Sequence, residues 1–237
     1  MNSDWLDLFS SKYFDLHVVA QVFPLILKGV WVSIAVTFTG WLLAALVGFP
    51  LLLLRRSRFV PLSWAAGGFI EFVRSTPILV QIYFYFYVLP NTGIVLDPIS
   101  TGILALTIHY GCYMSEAYRS GLEAIHHGQW DAVTALGFSK LHVYRYVILP
   151  QMVPPLIPAL GNFLILMIKD SPLLASIGVV EMMYYATGYS MDTFRYLEPT
   201  TIVGLIFLML SLASAAAIRF VEARVGRKWL GRAGLRD

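Results

Sequence analysis

A few charged and polar side chains interrupt long apolar stretches of this chain, and these residues are the best placed to do chemistry. Glu71 and Arg74 lie three positions apart in one stretch. His109 lies inside a second stretch, and Lys169 and Asp170 close a third. Ionisable groups in an apolar medium are costly unless they pair or face a polar cavity. Each charge pair is compatible with a structural ion pair or with a ligand contact, and the histidine with a polar pathway or a hydrogen bond between helices.

Patterns that support catalysis are absent from the sequence. It holds no GxxxxGK[ST] loop that would cradle a nucleotide phosphate, no HExxH metal site and no GxSxG nucleophile turn. His126 and His127 are adjacent but have no third ligand nearby in the sequence, which favours a solvated polar face over a metal site. We therefore expect that the chain is not an enzyme, an intramembrane one included, and binds no cofactor of its own.

The composition places these residues in a membrane protein. Of the 237 residues, 58% are hydrophobic and 13% are charged, whereas soluble domains average about 45–50% and roughly 25%. The net charge of +3 does not indicate a nucleic-acid partner. The single cysteine, Cys112, cannot form an internal disulfide, and we interpret it as a small packing residue.

The apolar segments predict an all-α integral membrane fold with about five transmembrane helices. A crossing needs about 20 mostly apolar residues, and the candidate segments are residues 30–54, 61–89, 99–115, 149–168 and 199–218. Residues 172–186 are apolar but too short to cross, so we interpret them as a half-helix or a re-entrant piece.

The distribution of positive charge predicts the orientation. Lys and Arg follow the first, third and fifth segments, whereas residues 91–98 hold none. Because cytoplasmic loops are enriched in these residues, the N-terminus is expected outside and the C-terminus in the cytoplasm. Residues 1–23 are interpreted as an amphipathic lead-in at the membrane surface, residues 24–222 as the transmembrane domain and residues 223–237 as a basic tail on anionic lipid headgroups.

A patterned polar segment, residues 116–150, is thereby placed in the cytoplasm. Its centre is predicted to form a short helix over about residues 128–140. Trp130, Val133, Leu136 and Leu141 can supply an apolar stripe, and Gly128 and Gly137 punctuate the ends. A short exposed helix of this kind predicts a docking element for a partner.

The spacing within this segment resembles a known motif. Asp131-Ala132-Val133, then Gly137, then Val147-x-Leu149-Pro150 is similar to the EAA motif of bacterial ABC importer permeases. It departs from that motif at three positions: Asp131 replaces the usual Glu, Val133 replaces the second Ala, and Val147 replaces the usual Ile. The blocks at residues 74–81 and 168–181 resemble those of polar amino-acid permeases.

The resemblance implies the type I ABC importer permease fold, in a multi-pass subunit of the bacterial cytoplasmic membrane. It implies two ABC ATPase subunits that carry ATP and Mg²⁺, a second permease, identical or paralogous, and an extracytoplasmic solute-binding protein. It also implies ATPase-coupling residues, which here are Gly128, Gln129, Trp130, Asp131, Ala132, Leu136 and Gly137.

Substrate is expected near the membrane midplane, where broken helices expose backbone dipoles to a zwitterion. The predicted pathway residues are Pro77, Gln81, Tyr83, His109, Asn162, Asp170 and Ser171. Tyr83 is also compatible with interfacial anchoring or core packing. Relatives that carry cationic amino acids often have an acidic residue after the equivalent of Asn162, where this chain has Phe163, which argues against Lys or Arg as cargo. Pro172, with the blocks at residues 67–74 and 194–199, also resembles permeases for ectoine and hydroxyectoine.

A second function class fits the composition. A self-sufficient secondary transporter or channel for small zwitterions would also be an apolar multi-span chain. It would be expected to show inverted repeats, and no convincing repeat is visible. It would also leave the cytoplasmic helix without a role.

Overall fold

The computed structural model describes residues 14–230, apart from the side chains of residues 134 and 226–230. Every regular element in that part of the chain is helical, which confirms the all-α prediction. The helices are α1 Leu16–Arg55, α2 Val60–Ser75, α3 Ile78–Tyr83, α4 Pro98–Glu123, α5 His127–Ala135, α6 Lys140–Val143, α7 Leu149–Asp170, α8 Met182–Thr193 and α9 Leu197–Leu230.

Shorter turns extend three of these helices. α3 continues through a π-helical turn at Phe84–Val88 and a 3₁₀ turn at Leu89–Thr92, and α6 reaches α7 through a π-helical turn at Tyr144–Ile148. The apolar piece predicted to be re-entrant is a 3₁₀ segment, Ser171–Ile177, followed by α8. α1 begins inside the predicted lead-in, and α9 continues into the predicted tail; residues 1–13 and 231–237 of those two predictions lie outside the described part.

Three helical stretches among the described residues are long and apolar enough to cross a membrane. They are Leu16–Arg55, Lys140–Ile177 and Leu197–Val225. A fourth is obtained when Val60–Ser75 and Ile78–Thr92 count together as one broken span. The predicted crossing at residues 61–89 is therefore a broken helix, and the break lies at Pro77, one of the breaks expected from the sequence. Pro77 disfavours helical backbone at the preceding residue, and Thr76 is extended (φ −101°, ψ 139°). The crossing predicted in α4 stays a prediction.

The chain folds as two compact units. The first contains residues 14–40, 77–106 and 166–212 of the described chain. Its core joins α1, α8 and α9 through Val22, Ile26, Met182, Ala186, Ile202 and Val203. Gly29 permits close approach of backbones here, because a Cβ at that position would lie 2.4 Å from the carbonyl carbon of Glu181.

Two buried carboxylates, those of Glu181 and Glu198, hold helix starts in place within this first unit. Glu181 caps α8 by accepting a hydrogen bond from the Tyr184 amide at 2.8 Å, and it also accepts one from Ser33 Oγ at 3.2 Å. Glu198 is 1% exposed and lies 2.8 Å from Arg195 Nη2. It also accepts a 3.0 Å hydrogen bond from the Asp15 amide, so the start of α1 is fastened to the start of α9.

The second unit contains residues 41–76, 107–165 and 213–230 of the described chain. α1 packs closely on α4, where a Cβ at Gly48 would lie 3.0 Å from the Gly111 carbonyl oxygen. Tyr118 Oη donates to the Ala45 carbonyl at 3.1 Å. Trp41 Nε1 donates to a carbonyl of α7, that of Leu160, at 2.8 Å. These contacts hold α1, α4 and α7 in fixed register within the unit.

Candidate coupling and translocation sites

Helix α5 is a short, largely exposed helix that ends in a left-handed turn. One of its hydrophobic side chains, Val133, is buried at 6% exposure, whereas Leu136, just past the end of the helix, is 69% exposed. Gly137 has φ +68°, a conformation that favours glycine. The Phe138 amide donates to the Val133 carbonyl at 3.3 Å, which satisfies one of the last carbonyls of the helix. Gly128 lies in the first turn of α5 and Gly137 just past its end, so the two glycines lie at the ends of the helix.

Two side-chain contacts fasten α5 to the chain that follows it. The rings of Trp130 and Tyr144 meet edge to face with centroids 6.1 Å apart. Gln151 Nε2 donates to Gln129 Oε1 at 3.2 Å. A shallow surface pocket of about 420 Å³ lies between these elements, lined by Trp130, Val133, Gly137, Phe138, Lys140, Val143 and Tyr144. Asp131 and Ala132 are exposed beside it. Five of the seven predicted coupling residues lie in α5, and Leu136 and Gly137 follow it directly.

A charge network precedes α5 in the chain. Glu116, whose side chain is 13% exposed, lies 3.4 Å from Arg55 Nε and 2.9 Å from Arg119 Nη2. Arg119 Nη1 reaches Glu123 at 2.6 Å. Hydrogen bonds from its side chain to Glu116 and Glu123 raise the pKa of Arg119. The spacing of the three α4 residues could have predicted their local pairs. The link to Arg55 was missed, since it joins residues far apart in sequence.

An aromatic cluster surrounds one of the predicted pathway residues, His109, which is 8% exposed. Its ring centroid lies 5.2 Å from those of both Tyr110 and Tyr113. Phe163 meets the same two tyrosines at 6.2 and 6.1 Å. Asn162, beside Phe163 in α7, is exposed. Tyr110 and Tyr113 thus contact both His109 and Phe163, the residue that follows Asn162.

Arg74 completes this cluster with a positive charge, a contact that sequence reasoning did not anticipate. Its guanidinium carbon lies 5.1 Å above the ring of Tyr113, and Tyr113 Oη donates to the Arg74 carbonyl at 3.1 Å. Glu71 reaches Arg74 Nη1 at 3.5 Å, so the predicted pair is formed. Arg74 Nε is buried and has no hydrogen-bond acceptor among the described residues.

The other five predicted pathway residues belong to the first unit. Gln81 is buried, and Ser171 is fully buried and donates its hydroxyl to the Ile168 carbonyl at 2.9 Å. Asp170 is half-buried and Pro77 exposed, with the Pro77 carbonyl accepting the Val80 amide at 3.0 Å. Tyr83 is 40% exposed and pairs with the ring of Tyr87 at 5.7 Å. Within this unit α3, which contains Gln81, packs against the 3₁₀ segment Ser171–Ile177, which begins with Ser171.

Among the described residues, no group of three or more His, Cys, Asp or Glu side chains could hold a metal ion.

Comparison with known proteins identifies the family. Residues 36–227 match the model for the "Binding-protein-dependent transport system inner membrane component" family. The chain is 37% identical to the "Probable amino-acid ABC transporter permease protein y4tG" of Sinorhizobium fredii, over 90% of this chain and 93% of that protein. It is 32% identical to the "Glutamine transport system permease protein GlnP" of Escherichia coli K12, over 90% and 98%.

A solved structure agrees with these relatives. The "Crystal structure of an amino acid ABC transporter with histidines" superposes with a TM-score of 0.83 at 30% identity, covering 89% of this chain and 98% of that one. These matches favour an ABC permease over a self-sufficient transporter or channel.

Membership of this family confirms several of the predictions made from the sequence. Members are multi-pass components of the bacterial inner membrane, and the subunit is non-catalytic because the ATPase is a separate component. The family name states dependence on a binding protein. The chain belongs to the family of binding-protein-dependent transport system inner membrane components, as a permease subunit of the amino-acid ABC transporter type.

Proposed function

We propose that this chain, with a second permease subunit and two ATPase subunits, imports a neutral polar amino acid or a zwitterion of similar size. In this proposal it crosses the membrane five times with the N-terminus outside. The cations at the ends of α1 and α4, Arg55 and Arg119, and those that precede α7 support a cytoplasmic position for α5.

Helix α5 is proposed to dock on the ATPase. It is exposed and ends in a fixed turn at Gly137. Trp130 contacts Tyr144 in the turn before α7, and Gln129 accepts a hydrogen bond from Gln151 in α7. Such a short, anchored element can carry a rigid-body displacement of a partner into the membrane helices. The exposed hydrophobic side chains Leu136 and Leu141, 69% and 78% exposed, supply the apolar contact.

The proposed class of cargo is supported mainly by one observation: an apolar residue, Phe163, and a cation, Arg74, lie against the same aromatic cluster. Phe163 and Arg74 both contact Tyr113, so this region combines apolar walls with a positive charge. A guanidinium binds a carboxylate through two parallel hydrogen bonds. Arg74 Nε has no acceptor among the described residues, so it is the donor that the proposal assigns to the carboxylate of an amino acid. A cationic side chain would be repelled by the same charge.

The experiment is equilibrium binding of radiolabelled amino acids to the purified permease–ATPase complex, without the binding protein. Leaving the binding protein out removes its own selectivity from the measurement. Glutamine, arginine and ectoine form the panel, and the last tests the resemblance to ectoine permeases. We expect glutamine or ectoine to bind and arginine to bind weakly. Phe163→Asp should raise arginine binding about tenfold, because a buried carboxylate pairs with the cation.

Phe163→Leu is the matched control, since it keeps the site apolar and should preserve the order of affinities. The cargo proposal is wrong if Phe163→Asp and Phe163→Leu bind the panel alike. The docking proposal is tested separately with an Ala132→Cys variant, which should cross-link to the ATPase. Leu212→Cys, on the exposed part of α9, should not.

A further inference from the structure

We propose that Glu116 is a positioning residue that couples helix α5 to the end of helix α1, so that movement of the ATPase reaches the membrane helices through a chain of ion pairs. This inference rests on the proposed docking of α5. It assigns a transmission role to four residues outside the docking surface: Glu123, Arg119, Glu116 and Arg55.

The chain of contacts is continuous. Glu123 is the last residue of α4, and α5 begins at His127, so only three residues separate the network from α5. Arg119 lies 2.6 Å from Glu123 and 2.9 Å from Glu116. Glu116 Oε1 lies 3.4 Å from Nε of Arg55, the last residue of α1.

Glu116 is the residue of this network that joins α4 to α1. Its carboxylate is shared by two arginines on different helices, one oxygen facing each. Its side chain is 13% exposed, whereas Glu123 at the outer end is 52% exposed. A pair shielded from water is screened less by salt than a surface pair, so its geometry is held more firmly. Glu116 Oε1 is buried and accepts no hydrogen bond among the described residues, so the Arg55 guanidinium holds it by charge.

Arg55 also touches a third helix. A Cβ at Gly67 of α2 would lie 3.5 Å from an Arg55 Nη1 atom, so the guanidinium lies against α2 as well as opposite α4. Displacing Glu116 therefore changes the restraint on the end of α1 and on the middle of α2 together. Helices linked by discrete ion pairs can pass a rigid displacement from one to the next.

The test uses the full complex of permease, ATPase and binding protein in proteoliposomes. The measured quantity is amino acid transported per ATP hydrolysed. Glu116→Gln keeps the size of the side chain and removes its charge. It is expected to lower this ratio about threefold to tenfold while ATP hydrolysis continues. Arg55→Gln is expected to do the same, and Arg55→Lys, which keeps the charge, to remain near wild type. Glu222→Gln, the same change at an exposed site on α9, is the control and should have no effect.

A double-mutant cycle separates coupling from general damage. If Glu116 and Arg55 act as one link, the double variant should lose no more than either single variant, whereas independent losses multiply. An unchanged transport ratio in both single variants overturns the proposal, as does multiplication in the double variant. Cross-linking of Ala132→Cys to the ATPase should persist in Glu116→Gln. If the cross-link is absent even with Glu116 intact, the docking proposal fails and this inference with it. If the cross-link is present and the Glu116→Gln and Arg55→Gln variants transport as much amino acid per ATP as wild type, only this inference fails.

Discussion

Gln151 donates a 3.2 Å hydrogen bond from its Nε2 to Oε1 of Gln129, which ties helix α5 to the first turn of α7. The same nitrogen also donates to the Val147 carbonyl at 3.0 Å, so the donor is fixed in place by the π-helical turn that precedes α7. Because Asn162 and Phe163 lie further along α7, this bond connects the proposed docking helix to the helix that holds part of the aromatic cluster.

Removal of this bond should loosen α5. Gln151→Leu and Gln129→Leu are each expected to reduce the local stability of α5 by up to about 1 kcal/mol, the usual net value of one exposed hydrogen bond. Hydrogen exchange of the amides of α5 measures the effect. Gln129→Glu retains an acceptor and should keep wild-type protection. Equal exchange in the Leu and Glu variants of Gln129 would show that the bond contributes nothing.

The turn at Gly137 should tolerate asparagine better than alanine. Nothing lies within 4 Å of a Cβ at this position, so lack of space is not the obstacle. The left-handed backbone is the obstacle, and it costs an L-residue about 1–2 kcal/mol. Gly137→Ala should weaken ATPase co-purification, while Gly137→Asn, which adopts this conformation more readily, should restore much of it. Identical behaviour of the two variants would contradict a conformational role.

Gly29 should be intolerant of alanine because of backbone contact. A Cβ there would lie 2.4 Å from the Glu181 carbonyl carbon and equally close to the Met182 amide nitrogen, neither of which can move aside cheaply. We expect Gly29→Ala to cost about 1–3 kcal/mol, measured as a lower thermal midpoint of the purified protein in detergent. Gly204→Ala in α9, where a Cβ meets nothing within 4 Å, should be neutral or stabilising. A neutral Gly29→Ala would show that α1 and α8 can separate at this point.

Acid should fray the start of α4. Hydrogen bonds from the Ser100 side chain and backbone lower the pKa of Asp97, and its carboxylate also accepts the Ile99 amide at 3.1 Å. A lowered folded-state pKa means that the carboxylate stabilises the helix start above its unfolded pKa of about 4. This contribution is lost as the pH falls through the folded-state value.

Hydrogen exchange at Ile99 and Ser100 should therefore rise, relative to the intrinsic rate, when the pH drops below about 4. Asp97→Asn keeps a capping oxygen and should remove this pH dependence. A wild-type profile that is flat with pH would contradict the assignment.

Local features were predictable because their causes are local in sequence. The uncharged run of residues 30–54 predicts a membrane helix, and α1 covers it in full. The short helix at α5 and the turn at Gly137 follow from glycine placement and from spacing, which act within a few residues. The Glu71–Arg74 pair follows from helical periodicity. The break between α2 and α3 follows from Pro77, which acts on the backbone of the residue directly before it.

The sequence by itself determined the all-helical membrane character, the family and the place of α5 along the chain, since hydrophobicity and motif spacing are properties of short segments. Tertiary structure alone decided which distant side chains meet. It placed Arg55 against Glu116, Gln129 against Gln151, and Phe163 with Arg74 around Tyr113. The physical reason is that ion pairs, hydrogen bonds and ring contacts form at a few ångströms, and only the packing of helices brings residues far apart in sequence to that distance.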